Sequence, residues 1–570
     1  MSTTELLKRR SDNPQLDARQ LQIAQAAQTA DGSLGRVAGE LGFESEEALL
    51  LAVGQSFCLE FVDLTSAEPD LSLLSDFPLR VIHRHRVFPL FRDKRRGVIG
   101  VAIGDPFDLH SLDAVSAATG QSVVPLLAIP SELERLIKAH LGVGAETIDG
   151  LLAQSSEADG DVEVLEDIDW DGSEDSEMAQ EASVVRLVNE ILGEAVNAQA
   201  SDIHLEAQAD GMMIRYRIDG VLQEQPMPPE IHRFQAAIIS RLKIMAKLNI
   251  AEKRVPQDGR VKLRISGREI DIRVSIIPML HGEGIVMRVL DKDRLDFSLR
   301  GIGMDEDTYR LFHRLITLPH GIVLVTGPTG SGKTTTLYSA LSEIKSAKTK
   351  IVTTEDPIEY QLEGINQIQV HPKVGLTFAA SLRSILRHDP DVILVGEIRD
   401  LETAQSAVQA SLTGHLVFST LHTNDAAGAF MRLVDMNVEP FLVSSTVEGV
   451  MAQRLVRTLC EDCREPYQPT RDVVPEDFPL RECLEQGAPI YRAVGCRACR
   501  NTGYRGRMGL YELLVADDEI RQLVSERSTT NAIKKAAIGA GMKTLRQDGW
   551  RKVLQGRTSI DEAIRVTKSD

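Results

Sequence analysis

Aromatic residues and cysteines are both scarce in this sequence. Its 570 residues include 15 Phe, 8 Tyr, 2 Trp and 6 Cys. So few cysteines in so long a chain do not make a disulfide scaffold. Long apolar runs are also missing. No window approaches the roughly 18 consecutive apolar residues of a membrane span. The opening stretch, MSTTELLKRRSDNPQ, has basic residues but no apolar core behind them, so no secretory signal is expected. Basic blocks are absent too. Lys and Arg number 64 against 83 Asp and Glu, a formal net charge of −19, which argues against a general nucleic-acid binder.

An ordinary globular composition remains. Hydrophobic residues make up 43% of the chain, which excludes wholesale disorder. The length allows about three or four domains of ~100–200 residues. The acid is concentrated. In residues 155–177, 11 of 23 positions are Asp or Glu and none is basic, more than half of the net charge. Like-charge repulsion there favours an extended linker, assigned to 153–180, after an N-terminal region 1–152. That region alternates helical signals with Gly breaks. It then carries strand-like runs (VFPLF, GVIGVAI, VVPLLAI) around a helical stretch, LHSLDAVSAAT. The expectation is an α/β docking domain without a catalytic constellation. Residues 181–295 form a second mixed α/β unit. Ser183 is placed as a helix cap before apolar positions Val184, Leu187, Val188, Ile191 and Leu192. A hairpin is expected at Asp219-Gly220, a helix over about 231–247, and a second hairpin near Ser266-Gly267.

Residues 300–570 hold the chemistry. An apolar strand, Ile322–Val325, runs into Gly327-Pro328-Thr329-Gly330-Ser331-Gly332-Lys333-Thr334-Thr335 and then a helix. This is a phosphate-binding loop in the context its mechanism requires. Its glycines let backbone N–H groups approach the β-phosphate, and the helix N-terminus adds a favourable dipole. Lys333 is placed on the β- and γ-phosphates of ATP, and the Thr334 hydroxyl on Mg²⁺. Two further strands end in acids. HDPDVILVGEIRD delivers Glu397 after a buried strand. KIVTTEDPIEY delivers Glu355, Asp356 and Glu359. A hydrolase needs one carboxylate to orient or deprotonate water and others for Mg²⁺. In GHLVFSTLHTND, His415 and His422 bracket another strand, where they could sense the γ-phosphate.

Cysteines form a second constellation. Cys460-x2-Cys463 and Cys496-x2-Cys499 read as a closed, structural four-thiolate Zn²⁺ site within 455–510, with a redox pair as the alternative.

The four boxes GPTGSGKTTTLY, TTEDPIEY, LRSILRHDPDVILVGEIRD and GHLVFSTLHTND occur in that order. Together they closely resemble the GspE/PilB family of secretion and pilus traffic ATPases, over about residues 75–570. The resemblance implies a RecA-like ATPase domain, a mobile mixed α/β (PAS-like) domain before it, and a homohexameric ring. The ring would sit in the cytoplasm, peripherally bound to the inner membrane. Carried onto this chain, Glu359 is the general base and Glu397 the second acid. His415 and His422 couple nucleotide state to movement. Arg273 and Arg288, in DIRVS and IVMRVL, neutralise phosphate charge. Arg288 interrupts the apolar run Ile285–Leu290, where an unpaired buried charge would be expensive, with a structural salt bridge as the alternative to a phosphate partner. Arg215, Arg217, Arg254 and Arg260 are weaker candidates. The phrases SLTGHLV, VEPFL and LVRTLC look more like the type II secretion member than the pilus-assembly member. The implied partners are inner-membrane platform proteins: a single-pass protein, met through the N-terminal domain, and a polytopic one. Type IV pilus assembly is the first alternative, ahead of a nucleic-acid motor and of a catalytically dead scaffold, against which Lys333, Glu359 and Glu397 argue; no nucleic acid is expected. Related N-terminal domains bind a cyclic dinucleotide through Arg-Leu-Gly repeats. SLGRVAGELGF lacks the preceding Arg and a clean repeat, so that ligand is not expected.

Overall fold

The computed structural model describes residues 38–141, 162–164, 182–291 and 298–568, apart from positions 40, 42, 44, 58, 66, 68, 76, 78–80, 83–84, 94–95, 228, 266 and 488. The chain divides into two compact units, Met1–Asp291 and Lys292–Asp570.

The first unit contains two sheets, each with its own core. The earlier sheet has four strands: β1 (Glu60–Phe61), β2 (Val87–Asp93), β3 (Val98–Ile103) and β4 (Ser122–Leu127), in the order β1-β4-β3-β2. The runs read as strands from sequence are these strands. The helix Leu109–Thr119 carries the chain from β3 to its parallel neighbour β4. Asp108 caps it by accepting from Ser111 N, and Gly120 ends it in the left-handed region at φ 66°.

The second sheet has seven strands: β5 (Val162–Val164), β6 (Ala200–Gln208), β7 (Gly211–Ile218), β8 (Val221–Gln225), β9 (Gln257–Ile265), β10 (Arg268–Met279) and β11 (Gly282–Asp291). The order is β5-β9-β10-β11-β6-β7-β8, antiparallel throughout. Most of the acidic stretch lies outside the described residues. Its residues 162–164 are not spacer, since they pair with Leu263–Ile265 at the sheet's edge. The Asp219-Gly220 turn falls where it was expected; β9 and β10 pair from Ile265 and Arg268 onward, while Ser266 of the second expected turn lies outside the described residues. Asp219 (φ 48°) and Gly220 (φ 84°) both take the left-handed values that a two-residue primed turn demands. The helices Ala182–Asn197 and Gln235–Met245 contribute to the core on the inner face. Val184, Leu187, Val188, Ile191 and Leu192 are all buried. Ser183 lies inside its helix and does not cap it. The second helix begins later than expected, because Pro229–Phe234 form a 3-10 turn first.

The second unit is built on another seven-stranded sheet. Its members are β12 (Gly321–Thr326), β13 (Ile351–Glu355), β14 (Asn366–Gln369), β15 (Val392–Val395), β16 (Leu416–Leu421), β17 (Val447–Leu459) and β20 (Tyr504–Val515). The order is β14-β13-β15-β16-β12-β17-β20, parallel except for β20. The strand β16 therefore lies between the loop-bearing strand β12 and the acid-bearing strand β15, which is the RecA-like arrangement. All residues of β12, β13, β15 and β16 are buried, as expected of a sheet covered on both faces. Between β17 and β20 the chain makes an excursion that carries a small hairpin, β18 (Glu465–Tyr467) with β19 (Ile490–Arg492), and the four cysteines.

Candidate nucleotide site, arginine face and cysteine cluster

Ligands in open α/β sheets bind beyond the carboxyl ends of the strands. Here that edge gathers three groups. At the end of β12 the chain turns through Gly327 (φ 149°), where a Cβ would fall 2.5 Å from the Gln453 carbonyl oxygen. Only glycine fits this approach. Gly332 (φ 86°) caps the helix Lys333–Ile344. Lys333 Nζ folds back over the loop, donating to Gly327 O (2.8 Å) and Pro328 O (3.0 Å). Burial lowers the Lys333 pKa, Glu397 opposes that shift and Arg454 adds to it. Ser331 Oγ is buried and has no hydrogen-bond partner, while Thr334 is exposed on the first helical turn. A cradle closed to any Cβ, a cation held only by carbonyls and an orphaned hydroxyl together fit a phosphate chain.

Beyond β15, the Glu397 side chain is only 12% exposed. It contacts His422 Nε2 at 3.2 Å and Arg399 at 2.5 Å. Thr326 Oγ1, at the end of β12, accepts from Thr423 N (2.9 Å) and so joins the histidine segment to the phosphate loop.

The acidic box follows β13. Glu355 is buried, and its carboxylate accepts from Tyr338 Oη, Thr353 Oγ1 (2.5 Å) and Gln367 Nε2 (3.1 Å). Three donors occupy it, so it is a structural acid rather than a spare Mg²⁺ ligand. Glu359 is half-buried four residues on, past the cis Asp356–Pro357 bond.

Two expectations change. His415 is not brought to the loop. It stands at the amino end of β16, its backbone oxygen accepting from Gly321 N and its Nδ1 2.9 Å from Ala410 O. A six-residue strand, roughly 20 Å at ~3.3 Å per residue, separates it from His422. Arg288 is not a buried charge. Its strand alternates, so Met287 faces the core and Arg288 faces outward, half exposed and paired with Asp202 at 3.1 Å. The apolar run concealed a period of two.

The sheet's register shows what that face carries. Arg260, Arg273, Arg288, Asp202 and Arg217 lie directly opposite one another across five strands. Asp271, one residue pair along, takes Arg260, while Asp202 contacts both Arg288 and Arg217 (3.7 Å). Arg215 pairs with Glu206 at 2.5 Å, and Arg254 with its neighbour Glu252 at 2.8 Å.

All four motif cysteines bring their sulfurs within 4.8 Å of one another. The pairs Cys460–Cys496, Cys463–Cys499 and Cys496–Cys499 are each 3.8 Å apart. Tetrahedral coordination at the Zn–S distance of about 2.3 Å requires sulfurs about 3.8 Å apart, so the cluster is shaped for a tetrahedral metal. Burial pushes the Cys463 thiol up to about 12. Burial also opposes ionisation of Cys499, but N–H groups of Cys496 and Gly503 bring it down to about 7.

The Type II/IV secretion system protein family matches residues 177–565. The chain belongs to this family. A second family, the MshEN domain, matches residues 57–147, over the four-stranded sheet; the segment SLGRVAGELGF precedes it and lies largely outside the described residues. Among relatives of this secretion-system protein, type II secretion system protein E of Xanthomonas campestris is 44% identical over 571 residues, spanning 99% of this chain and 97% of that one. Type II secretion system ATPase E of Vibrio cholerae is 53% identical over 393 residues, spanning 69% and 77%. Type IV pilus assembly ATPase PilB of Myxococcus xanthus is 39% identical over 565 residues, spanning 97% of each.

Sequence reasoning missed three contributors to this family member's site. Gln453 walls the phosphate loop and accepts from Thr336 Oγ1 at 2.8 Å. Arg454 reaches from β17 to Asn424 O (3.1 Å), bridging the loop and the histidine segment. Two polar residues interrupting VMAQRLV were the available signal. Glu512, buried on β20, accepts from Ala426 N (2.8 Å) and Leu545 N (3.2 Å), so one carboxylate serves the first residues of two helices. Nothing in its local sequence announces that.

Proposed function

We propose that this secretion-system protein is an ATP-hydrolysing homohexameric motor that powers pseudopilus assembly and protein export by type II secretion. The observation that carries the reading is the convergence of the Lys333 loop with the Glu397–His422 pair at one edge of a RecA-like sheet. Lys333 and the loop amides bind the phosphates, and Lys333 balances the charge that develops on the γ-phosphate. Thr334 and Glu397 would hold Mg²⁺, whose charge would there offset that of the phosphates. Glu359 takes a proton from the attacking water, and His422 reads the γ-phosphate through Glu397. Arg273 and Arg288 supply further positive charge for hydrolysis. Cys460, Cys463, Cys496 and Cys499 would hold Zn²⁺, a structural crosslink for the excursion between β17 and β20.

Near-complete coverage of the Xanthomonas relative supports the secretion assignment. The Myxococcus relative, matched over the same span at lower identity, keeps pilus assembly as the second reading. The motor is assigned to the cytoplasmic face of the inner membrane, held by platform proteins. No described helix is long and apolar enough to cross a membrane.

The test is ATP hydrolysis by the full chain, with Lys333→Ala and Glu359→Gln as comparisons. Loss of turnover in both supports the reading, and full activity of Lys333→Ala overturns it. Turnover should not respond to added DNA. Co-purification from detergent-solubilised membranes then separates the two machines. A single-pass platform protein is expected, whereas recovery of pilus platform proteins would favour the second reading.

A further inference from the structure

Tyr338 sits on the helix that begins at Lys333, fully buried. Its hydroxyl donates to Glu355, and its oxygen lies against the backbone N–H groups of Tyr360 and Glu359. A second attachment comes from the opposite side. Gln367 Nε2 donates to Glu355 Oε1 (3.1 Å) and to Tyr360 O (3.0 Å), while its Oε1 accepts from Leu362 N (2.8 Å). The Tyr360 ring meets the Tyr338 ring edge-on at 6.5 Å. The acidic loop is therefore held at both ends, and one of its anchors belongs to the phosphate-binding helix.

We propose that Tyr338 is a positioning residue for hydrolysis, whose hydroxyl fixes the backbone of Glu359 relative to the phosphate loop, directly at the loop's N–H groups and, through Glu355 and Gln367, at Tyr360 and Leu362. A general base must sit within hydrogen-bond reach of the attacking water, and a misplacement of 1 Å can cost on the order of 100-fold. Helix Lys333–Ile344 carries the phosphate-binding lysine at its first residue and this phenol five residues later. The base is thereby registered against the same rigid element that holds the phosphate. Burial and the Glu355 charge hold the phenol's pKa far above its ordinary value, which keeps the hydroxyl a donor. The inference rests on the ATPase reading above.

The test compares full-length wild type, Tyr338→Phe and Lys333→Ala. Phenylalanine keeps the buried ring and removes only the node. Expected for Tyr338→Phe are nucleotide affinity and KM within about twofold of wild type and kcat lower by roughly 10–100-fold. Amide hydrogen exchange should rise in residues 356–361 and stay unchanged in residues 327–332. A kcat within twofold of wild type, or reduced turnover with unchanged exchange in 356–361, overturns the proposal. If Tyr338→Phe does not fold, Gln367→Leu removes the opposite anchor and should give the same split between kcat and KM; normal turnover there overturns it equally. If wild type does not hydrolyse ATP, or Lys333→Ala hydrolyses it normally, the ATPase reading fails. The exchange measurement then still decides whether the hydroxyl holds the loop.

Discussion

The two seven-stranded sheets place their functional groups differently. The parallel sheet buries both faces and puts its chemistry at one edge, where strands end and loops begin. The antiparallel sheet buries one face and carries its arginines in a row across the other. An edge site can be read one segment at a time, since each functional residue follows its own strand. A face site exists only through register. Arg260, Arg273, Arg288 and Arg217 are scattered over 72 positions of sequence and become neighbours only when five strands pair.

The difference makes substitutions separable. The largest effect is expected at the edge. Lys333→Ala should lower ATP turnover by on the order of 10²–10³-fold with little change in Tm, checked by phosphate release and thermal unfolding. A buried ion pair should behave quite differently from the exposed face. Glu562 is about 2% exposed and bonded to Arg457 and Arg565. Burial raises its pKa, but these donors bring it from 4.5 down to about 2. Its contribution is therefore complete above pH 4.5 and fades as pH falls toward 2. Glu562→Gln should cost about 3 kcal/mol near pH 7 and progressively less on acidification, measured by denaturant unfolding across pH. On the arginine face, Arg288→Ala should change stability by less than about 1 kcal/mol, because its pair with Asp202 is half exposed. If the row serves hydrolysis, turnover should fall about tenfold all the same, an effect of roughly 1.4 kcal/mol. Equal turnover would make the row purely structural. The smallest effect is expected at His415, a strand's length from the loop. His415→Ala should leave nucleotide affinity within about twofold and lower Tm slightly through its lost bond to Ala410. A large loss of affinity would show that the far end of the sheet also belongs to the site.

Legibility followed the same division. The phosphate loop, Glu397, His422 and the cysteine pairs were readable because each is local: a turn that needs glycine, a strand end, a two-residue knuckle. The Asp219-Gly220 turn was readable for the same reason. What escaped was non-local. His415 and His422 share a box, yet a six-residue strand puts them at opposite edges. Arg288 read as a buried charge because valine and methionine flank it, although only alternate residues of a strand share a face. Glu355 read as one of three equivalent acids, and only tertiary packing supplied the three donors that occupy it. The pairing of Val162–Val164 inside a charged stretch was invisible because its partner, Leu263–Ile265, lies far along the sequence.

One carboxylate has a consequence for how the second unit comes apart. Glu512 receives the leading N–H of the helix after the histidine segment and that of the helix Leu545–Leu554, near the C-terminus. Neither helix can unravel from its start without stranding a buried charge that the other still needs. Two segments 119 residues apart in sequence should thus open as one cooperative unit, with a shared opening free energy and a shared response to denaturant.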